Sequence, residues 1–252
     1  MYHRVFPRAG FDQLTVTPDR FAEQMAWLAE HCEVLSLSDS LAGLGRAGER
    51  PRVVITFDDG YRDNLVHALP VLQRFKLPAT IFVTTAFCSQ AMRHPRYPAE
   101  DGQLHLTWEE VRWLAGTPGI TIGSHTVTHP YLQRVGAEQV RTEIADSRKR
   151  IEDEISRRVD FFCYPSGDAG RREMDAARDA GYLASVTVQP GINRPGIDLQ
   201  ALRRTEITQH DGITDFALKL RGAYDPLHAL LHWRRQRRFA LQARAALHSA
   251  QA

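Results

Sequence analysis

Three short stretches carry residue types that can do chemistry. The first is Val53-Val54-Ile55-Thr56-Phe57-Asp58-Asp59-Gly60-Tyr61, an apolar run that ends on two adjacent carboxylates and a glycine. Such a run reads as a buried parallel strand, with Asp58 and Asp59 at its carboxyl end, where α/β folds place their chemistry. Two neighbouring carboxylates repel each other, so a cation or a shared proton must offset them. The second stretch, Gly123-Ser124-His125-Thr126-Val127-Thr128-His129-Pro130, holds two histidines four residues apart. If this segment makes a helical turn, both imidazoles face one way. Alone, an Asp-Asp-Gly is a strand cap or turn, and a His-x-x-x-His in a loop is incidental. Here both follow predicted parallel strands and project from one face of the sheet. One carboxylate and two histidines make an open metal set with room for water and substrate. The third stretch, Phe161-Phe162-Cys163-Tyr164-Pro165-Ser166-Gly167, ends in a turn whose backbone N–H can donate to a developing oxyanion. On its own it reads as an ordinary strand-to-loop exit.

These residues need elements to position them, and the chain supplies an alternation of strands and helices. Met1–Phe6 reads as the end of a strand. Thr17-Pro18-Asp19 opens a helix with Phe21, Met25 and Leu28 on one face. Glu33–Leu37 is a short strand, and Ser38-Asp39 caps a short helix. A helix is expected over 64–75, a strand over 79–83 and another strand over 120–123. Thr107-Trp108-Glu109-Glu110 has the spacing of a capping box. A long helix follows over 137–155, then a strand at 161–164, a helix at 171–180, a strand at 183–188, a last strand at 202–207 and a helix from Ile213. The segment 87–106, with His94, Pro95, Tyr97, Pro98 and Gly102, has no period, and such long connections usually cover a site or move. About eight strands alternating with helices call for a mostly parallel sheet, open or closed into a barrel.

Composition narrows the function. The chain has 252 residues, 43% hydrophobic and 25% charged, enough for one sizeable core. A formal net charge of +2 with no basic-aromatic array gives no case for nucleic acid. Cys32, Cys88 and Cys163 are scattered without C-x-x-C spacing, so neither a disulfide framework nor a zinc knuckle is expected. No apolar stretch approaches membrane-spanning length, and the start has no basic, then apolar, leader. A soluble cytoplasmic chain is therefore expected, with an upstream start left open.

Taken together, T-F-D-D-G-Y, S-H-T-x-T-H-P and F-x-Y-P-x-G resemble the motifs of the polysaccharide deacetylase family, also called the NodB-homology domain or carbohydrate esterase family 4. The opening Met1-Tyr2-His3-Arg4-Val5 is similar to one branch of it, and the resemblance extends over residues 1–222. It implies a distorted (β/α) barrel of seven to eight mostly parallel strands. It implies that Asp59, His125 and His129 hold one divalent metal, usually zinc, and that Asp58 is the general base. The implied reaction removes an acetyl group, most often N-acetyl, from a saccharide. The backbone N–H of Ser166 would share the oxyanion, with Tyr164 beside it in the substrate site.

The chain also departs from the family pattern. Cys163 stands where many members carry the arginine that tethers the base, and between Leu199 and Asp225 no Leu-x-His supplies a general acid. In the Tyr-His branch, His3 takes the acid's role, with His210 as the alternative, and Arg204 is a candidate replacement tether. Two other classes remain open: a barrel hydrolase of small amides or imides, and a carbohydrate-binding protein without turnover.

Beyond Asp225 there is no acidic residue, while Arg234, Arg235, Arg237, Arg238 and Arg244 alternate with Trp233, Phe239 and leucines. Residues 223–252 thus read as a basic, weakly amphipathic helix, suited either to peripheral contact with an anionic membrane face or to packing on the barrel.

Overall fold

The computed structural model describes residues 1–7, 12–46, 48–97 and 102–225. The tail expected as a basic helix lies, from residue 226 on, outside the described residues. Strands β1 (Arg4–Val5) and β2 (Thr15–Val16) pair in parallel and lead into helix α1 (Pro18–His31). Thr17 caps α1 by accepting from the Arg20 amide, and proline occupies its first turn. Strand β3 (Glu33–Val34) precedes helix α2 (Leu37–Ala42). The cap of α2 is Ser36, which accepts from the Asp39 amide, two residues earlier than expected.

The run Val53–Phe57 is not one strand. Strand β4 (Arg52–Val53) pairs with β3, and strand β5 (Ile55–Phe57) starts the main sheet after the break at Val54. The helix expected over 64–75 begins as a π-helical turn, Asn64–Ala68, and becomes α-helical only as α3 (Leu69–Phe75). Pro70 has no N–H to bond the Val66 carbonyl, and the wider turn absorbs that lost bond.

Strand β6 (Ala79–Val83), helix α4 (Thr85–Cys88), helix α5 (Trp108–Gly116), strand β7 (Ile120–Ser124), helix α6 (Ala137–Ile155), strand β8 (Phe161–Cys163), helix α7 (Arg171–Asp179), strand β9 (Ala184–Val186) and helix α8 (Ile213–Leu220) complete the order. The Thr107–Glu110 capping box forms at the start of α5.

The sheet has five parallel strands in the order β5-β6-β7-β8-β9, fewer than the seven to eight expected. Its edges are joined by irregular backbone instead of full strands. Leu202 bridges to Val186 on one side, Tyr2 bridges to Phe57 on the other, and the Ile207 amide donates to the Met1 carbonyl between them. The 202–207 segment therefore fills a strand's place with a single bridge. Both faces of the sheet are buried, as parallel sheets require. Ile81, Val83 and Phe162 pack towards the helices, while Phe82, Phe161 and Cys163 form a second cluster with Val186 and Leu202 on the inner face. Gly123 lies opposite Phe82 in the register, and a Cβ there would come within 2.4 Å of the Phe82 ring. Only glycine lets these two strands close over that ring.

Candidate active site

The carboxyl ends of β5, β7 and β8 open into a cavity of about 960 Å³. Its lining includes His3, Asp58, Asp59, His125, His129, Ser166 and Arg204. Gly60 takes a positive φ of 61°, which turns the chain sharply after the two aspartates. Asp59, Thr126, His129 and Ser166, none of them glycine, also have positive φ. Such backbone is costly and clusters where the surroundings over-determine it, commonly at functional sites.

Asp59 Oδ1 lies 3.2 Å from Nε2 of His125 and 3.2 Å from Nε2 of His129. The Nδ1–H of His125 donates to the Cys163 carbonyl at 2.7 Å, so Nε2 is the ring nitrogen turned towards Asp59. Asp59 Oδ1 is buried and has no hydrogen-bond partner. A buried carboxylate oxygen held this close to two imidazole nitrogens calls for a cation among them, and adjacent ligands at about 2.1 Å from one ion lie roughly 3–3.4 Å apart. The residues fit a divalent metal. Glu143 of α6 fixes the histidine turn, accepting from the Val127 and Thr128 amides at 2.8 Å and from the Thr128 hydroxyl. The His129 amide donates to Thr126 Oγ1 at 3.0 Å.

Asp58 is held differently. Arg204 grips it with two bonds, Nη1 to Oδ1 at 2.6 Å and Nη2 to Oδ2 at 2.7 Å. The guanidinium also donates to the Thr187 carbonyl at 2.8 Å and to Thr56 Oγ1 at 3.2 Å. Burial opposes the charge on Asp58, but Arg204, with His125 and His3 adding to it, holds the carboxyl well below the usual range. Cys163 Sγ sits 3.4 Å from Asp58 Oδ2 and 3.1 Å from Arg204 Nη2. Burial pushes this thiol's pKa up, so it is a neutral S–H and its small side chain leaves space for the guanidinium. Asp58, His125 and Cys163 also converge closely enough to suggest a metal. With both Asp58 oxygens taken by Arg204 and the thiol protonated, that trio does not fit one.

His3 lies on the cavity wall beside Asp58. The Tyr2 amide donates to Thr56, the Asp58 amide donates back to Tyr2, and Asn64 Nδ2 donates to the His3 carbonyl. His3 Nδ1 is buried without a hydrogen-bond partner. Ser166 reaches the cavity, but Tyr164 does not. Its ring is buried against Phe162 and its hydroxyl donates to the Gln200 carbonyl at 3.0 Å. His210 is exposed and is not among the described residues lining the cavity.

Sequence reasoning missed two further histidines. His94, from the aperiodic segment, enters the lining with Nε2 3.8 Å from Asp59 Oδ2. His105 is buried behind it and stacks on Phe87 at 4.3 Å. Burial, the largest influence on each, lowers both pKa values to about 4, so both rings are neutral at neutral pH. Two histidines in a segment expected to cover the site were the available signal.

Comparison with known proteins gives the family. The family profile for polysaccharide deacetylase matches residues 45–185. YxkH of Bacillus subtilis (strain 168), provisionally named a polysaccharide deacetylase, is 29% identical over 211 residues, 82% of this chain and 70% of that one. The poly-beta-1,6-N-acetyl-D-glucosamine N-deacetylase of Escherichia coli (strain K12) is 21% identical across 87% of this chain, which spans 38% of that enzyme's length. The Streptococcus pyogenes deacetylase PplD, solved in complex with acetate, has the same fold, with a TM-score of 0.76 at 23% identity over 87% of this chain and 95% of that one. The catalytic motifs, the curled parallel sheet and the profile match converge on one conclusion: this chain belongs to the polysaccharide deacetylase family.

Proposed function

We propose that this chain is a zinc-dependent hydrolase that removes N-acetyl groups from an N-acetylhexosamine polysaccharide. The observation that carries this reading is the pairing of two differently held aspartates on one cavity wall. Asp59 Oδ1 faces two imidazoles without a hydrogen bond, while Asp58 is clamped by Arg204. Asp59, His125 and His129 would hold the metal, which when bound polarises the acetyl carbonyl and makes water more acidic.

Asp58 then has one task, to accept a proton from the attacking water. Arg204 keeps it ionised and aimed, at some cost in basicity, which is why an acidified water suits it. The Ser166 N–H would donate to the oxyanion as the acetyl carbon becomes tetrahedral. His3, with an unpartnered ring nitrogen beside Asp58, would give a proton to the departing amine. Water's hydroxyl ends on the acetyl carbon, the C–N bond breaks, and the products are acetate and a free amine. The volume of the cavity, about 960 Å³, favours a saccharide over a small cyclic amide.

The test is acetate release from N-acetylglucosamine oligomers by the metal-stripped, zinc-reloaded and Asp58→Asn proteins. Stripping should abolish turnover and reloading should restore it. Asp58→Asn should lower turnover by about 10²–10⁴-fold while metal content is retained. Full activity after exhaustive chelation, or near-normal turnover by Asp58→Asn, would remove the reading.

A further inference from the structure

The segment after α4 brings His94 over the metal-binding residues, and three hydrogen bonds fix how its ring is presented. The Arg96 amide donates to His94 Nδ1 at 3.2 Å, the His94 amide donates to His105 Nε2 at 3.2 Å, and His105 Nδ1–H donates to the Asp59 carbonyl at 3.2 Å. His105 is held between Phe87, at 4.3 Å, and Tyr61, at 4.9 Å. The far end of the segment is anchored too, because Arg96 Nε and Nη2 and the Tyr97 hydroxyl all donate to the buried Asp12.

These contacts decide the tautomer of His94. A ring whose Nδ1 accepts a backbone N–H carries its proton on Nε2. That Nε2–H lies 3.8 Å from Asp59 Oδ2, the oxygen turned away from His125 and His129. The His94 and His129 rings meet edge to face at 5.3 Å. A protonated Nε2 is a donor and cannot ligate a metal, although His94 lies in the same tight group as Asp59 and His129.

We infer that His94 is a positioning residue for the metal centre: its Nε2–H closes onto Asp59 Oδ2 and leaves Oδ1 as the single ligating oxygen. This rests on Asp59, His125 and His129 holding a metal. Shortening 3.8 Å to a hydrogen bond needs a movement of less than about 1 Å. The physical effect is the outer-shell orientation that ligating carboxylates commonly need. His94 is tied through His105 to the Asp59 backbone, so its ring is held in place by contacts that also fix Asp59.

The experiment is competition for zinc between a chromophoric chelator and the apo forms of the full chain: parent, His94→Ala, His94→Gln and His129→Ala. The cobalt-substituted spectra are recorded alongside. His94→Ala should weaken zinc binding by about 10–100-fold. His94→Gln should restore most of it with an unchanged cobalt spectrum, since a glutamine amide keeps a donor near the Nε2 position and is a poor ligand. Equal zinc affinity in the parent and His94→Ala would overturn the inference. So would a glutamine variant as weak as the alanine one with an altered cobalt spectrum, because His94 would then be a direct ligand. His129→Ala separates this from the broader reading: if it too binds zinc normally, the metal site itself is wrong.

Discussion

Removing Arg204 tests how Asp58 is held. In Arg204→Ala the buried Asp58 loses two charge-assisted bonds and becomes an uncompensated charge, with 4% side-chain exposure. Breaking a buried pair in this way costs about 3–5 kcal/mol. For a chain of this size each kcal/mol moves the melting temperature by about 2–4 °C, so a fall of roughly 6–20 °C is expected near neutral pH. The pH dependence has a definite sign. In the parent, the folded pKa of Asp58 is depressed, so its contribution is present above the unfolded value of about 3.9 and is lost only as pH falls through the folded value. Without Arg204, burial is the largest influence and only the weaker effects of His125 and His3 oppose it, so the folded pKa rises. The variant then favours a protonated carboxyl, and its penalty grows as pH rises through that raised value. The deficit relative to the parent should therefore be larger at pH 8 than at pH 5. Thermal unfolding of both proteins in a strong chelator, across that range, isolates the effect from metal loss. Arg204→Lys should fall between them, since an ammonium keeps the charge but cannot span both oxygens, Thr56 and Thr187 together. A melting temperature for Arg204→Ala within a degree of the parent, or an equal deficit at both pH values, would refute the reasoning.

Two other substitutions probe residues that act on either side of this pair. His3→Ala should reduce acetate release by about 10²–10⁴-fold with zinc affinity unchanged, and an effect below tenfold would place the acid elsewhere. Glu143→Gln keeps the shape but puts an N–H where the Val127 and Thr128 amides or the Thr128 hydroxyl now donate. It should weaken zinc binding by about 10–100-fold in the chelator competition, and unchanged affinity would mean the His125–His129 turn holds itself.

What the sequence made legible was local. The Thr17 and Thr107 caps signal helix starts within four residues, and the Asp58-Asp59 and His125-His129 motifs each sit on a single strand exit. The α2 cap is Ser36, with Asp39 three residues on, two positions before the expected Ser38-Asp39. The strand count was overestimated because the segments at 1–6 and 33–37 pair with β2 and β4 outside the main sheet, and 202–207 exchanges only one bridge with it before turning to Met1. The Arg204–Asp58 clamp spans 146 residues, and no periodicity reports a contact of that range. His94 and His105 come from a segment whose fold is set by Asp12, Tyr61 and Phe87, none of them its neighbours in the chain apart from Phe87. Tyr164 shows the opposite error. It belongs to a motif that reaches the site, but the alternation along β8 and the hydrogen bond to Gln200 turn its side chain away.

The inner face of the sheet explains why the tether comes from residue 204 instead of 163. Cys163 and Phe161 point inward, and Cys163 Sγ already touches both Asp58 Oδ2 and Arg204 Nη2. An arginine at 163 would bring a second guanidinium into contact with the first, with one carboxylate between two buried cations. The two solutions exclude each other, so a small, uncharged side chain at 163 is the complement of an arginine at 204. The backbone around the site is also strained. Asp59, Thr126, His129 and Ser166 are four of the seven described non-glycine residues with positive φ, and each such conformation costs of order 1–3 kcal/mol. That strain is supported by contacts from outside the motifs: Glu143 beneath the histidine turn, Arg204 across Asp58, and His105 behind Asp59. The motifs supply the side chains that line the site, but the geometry there is imposed by residues far from them in sequence.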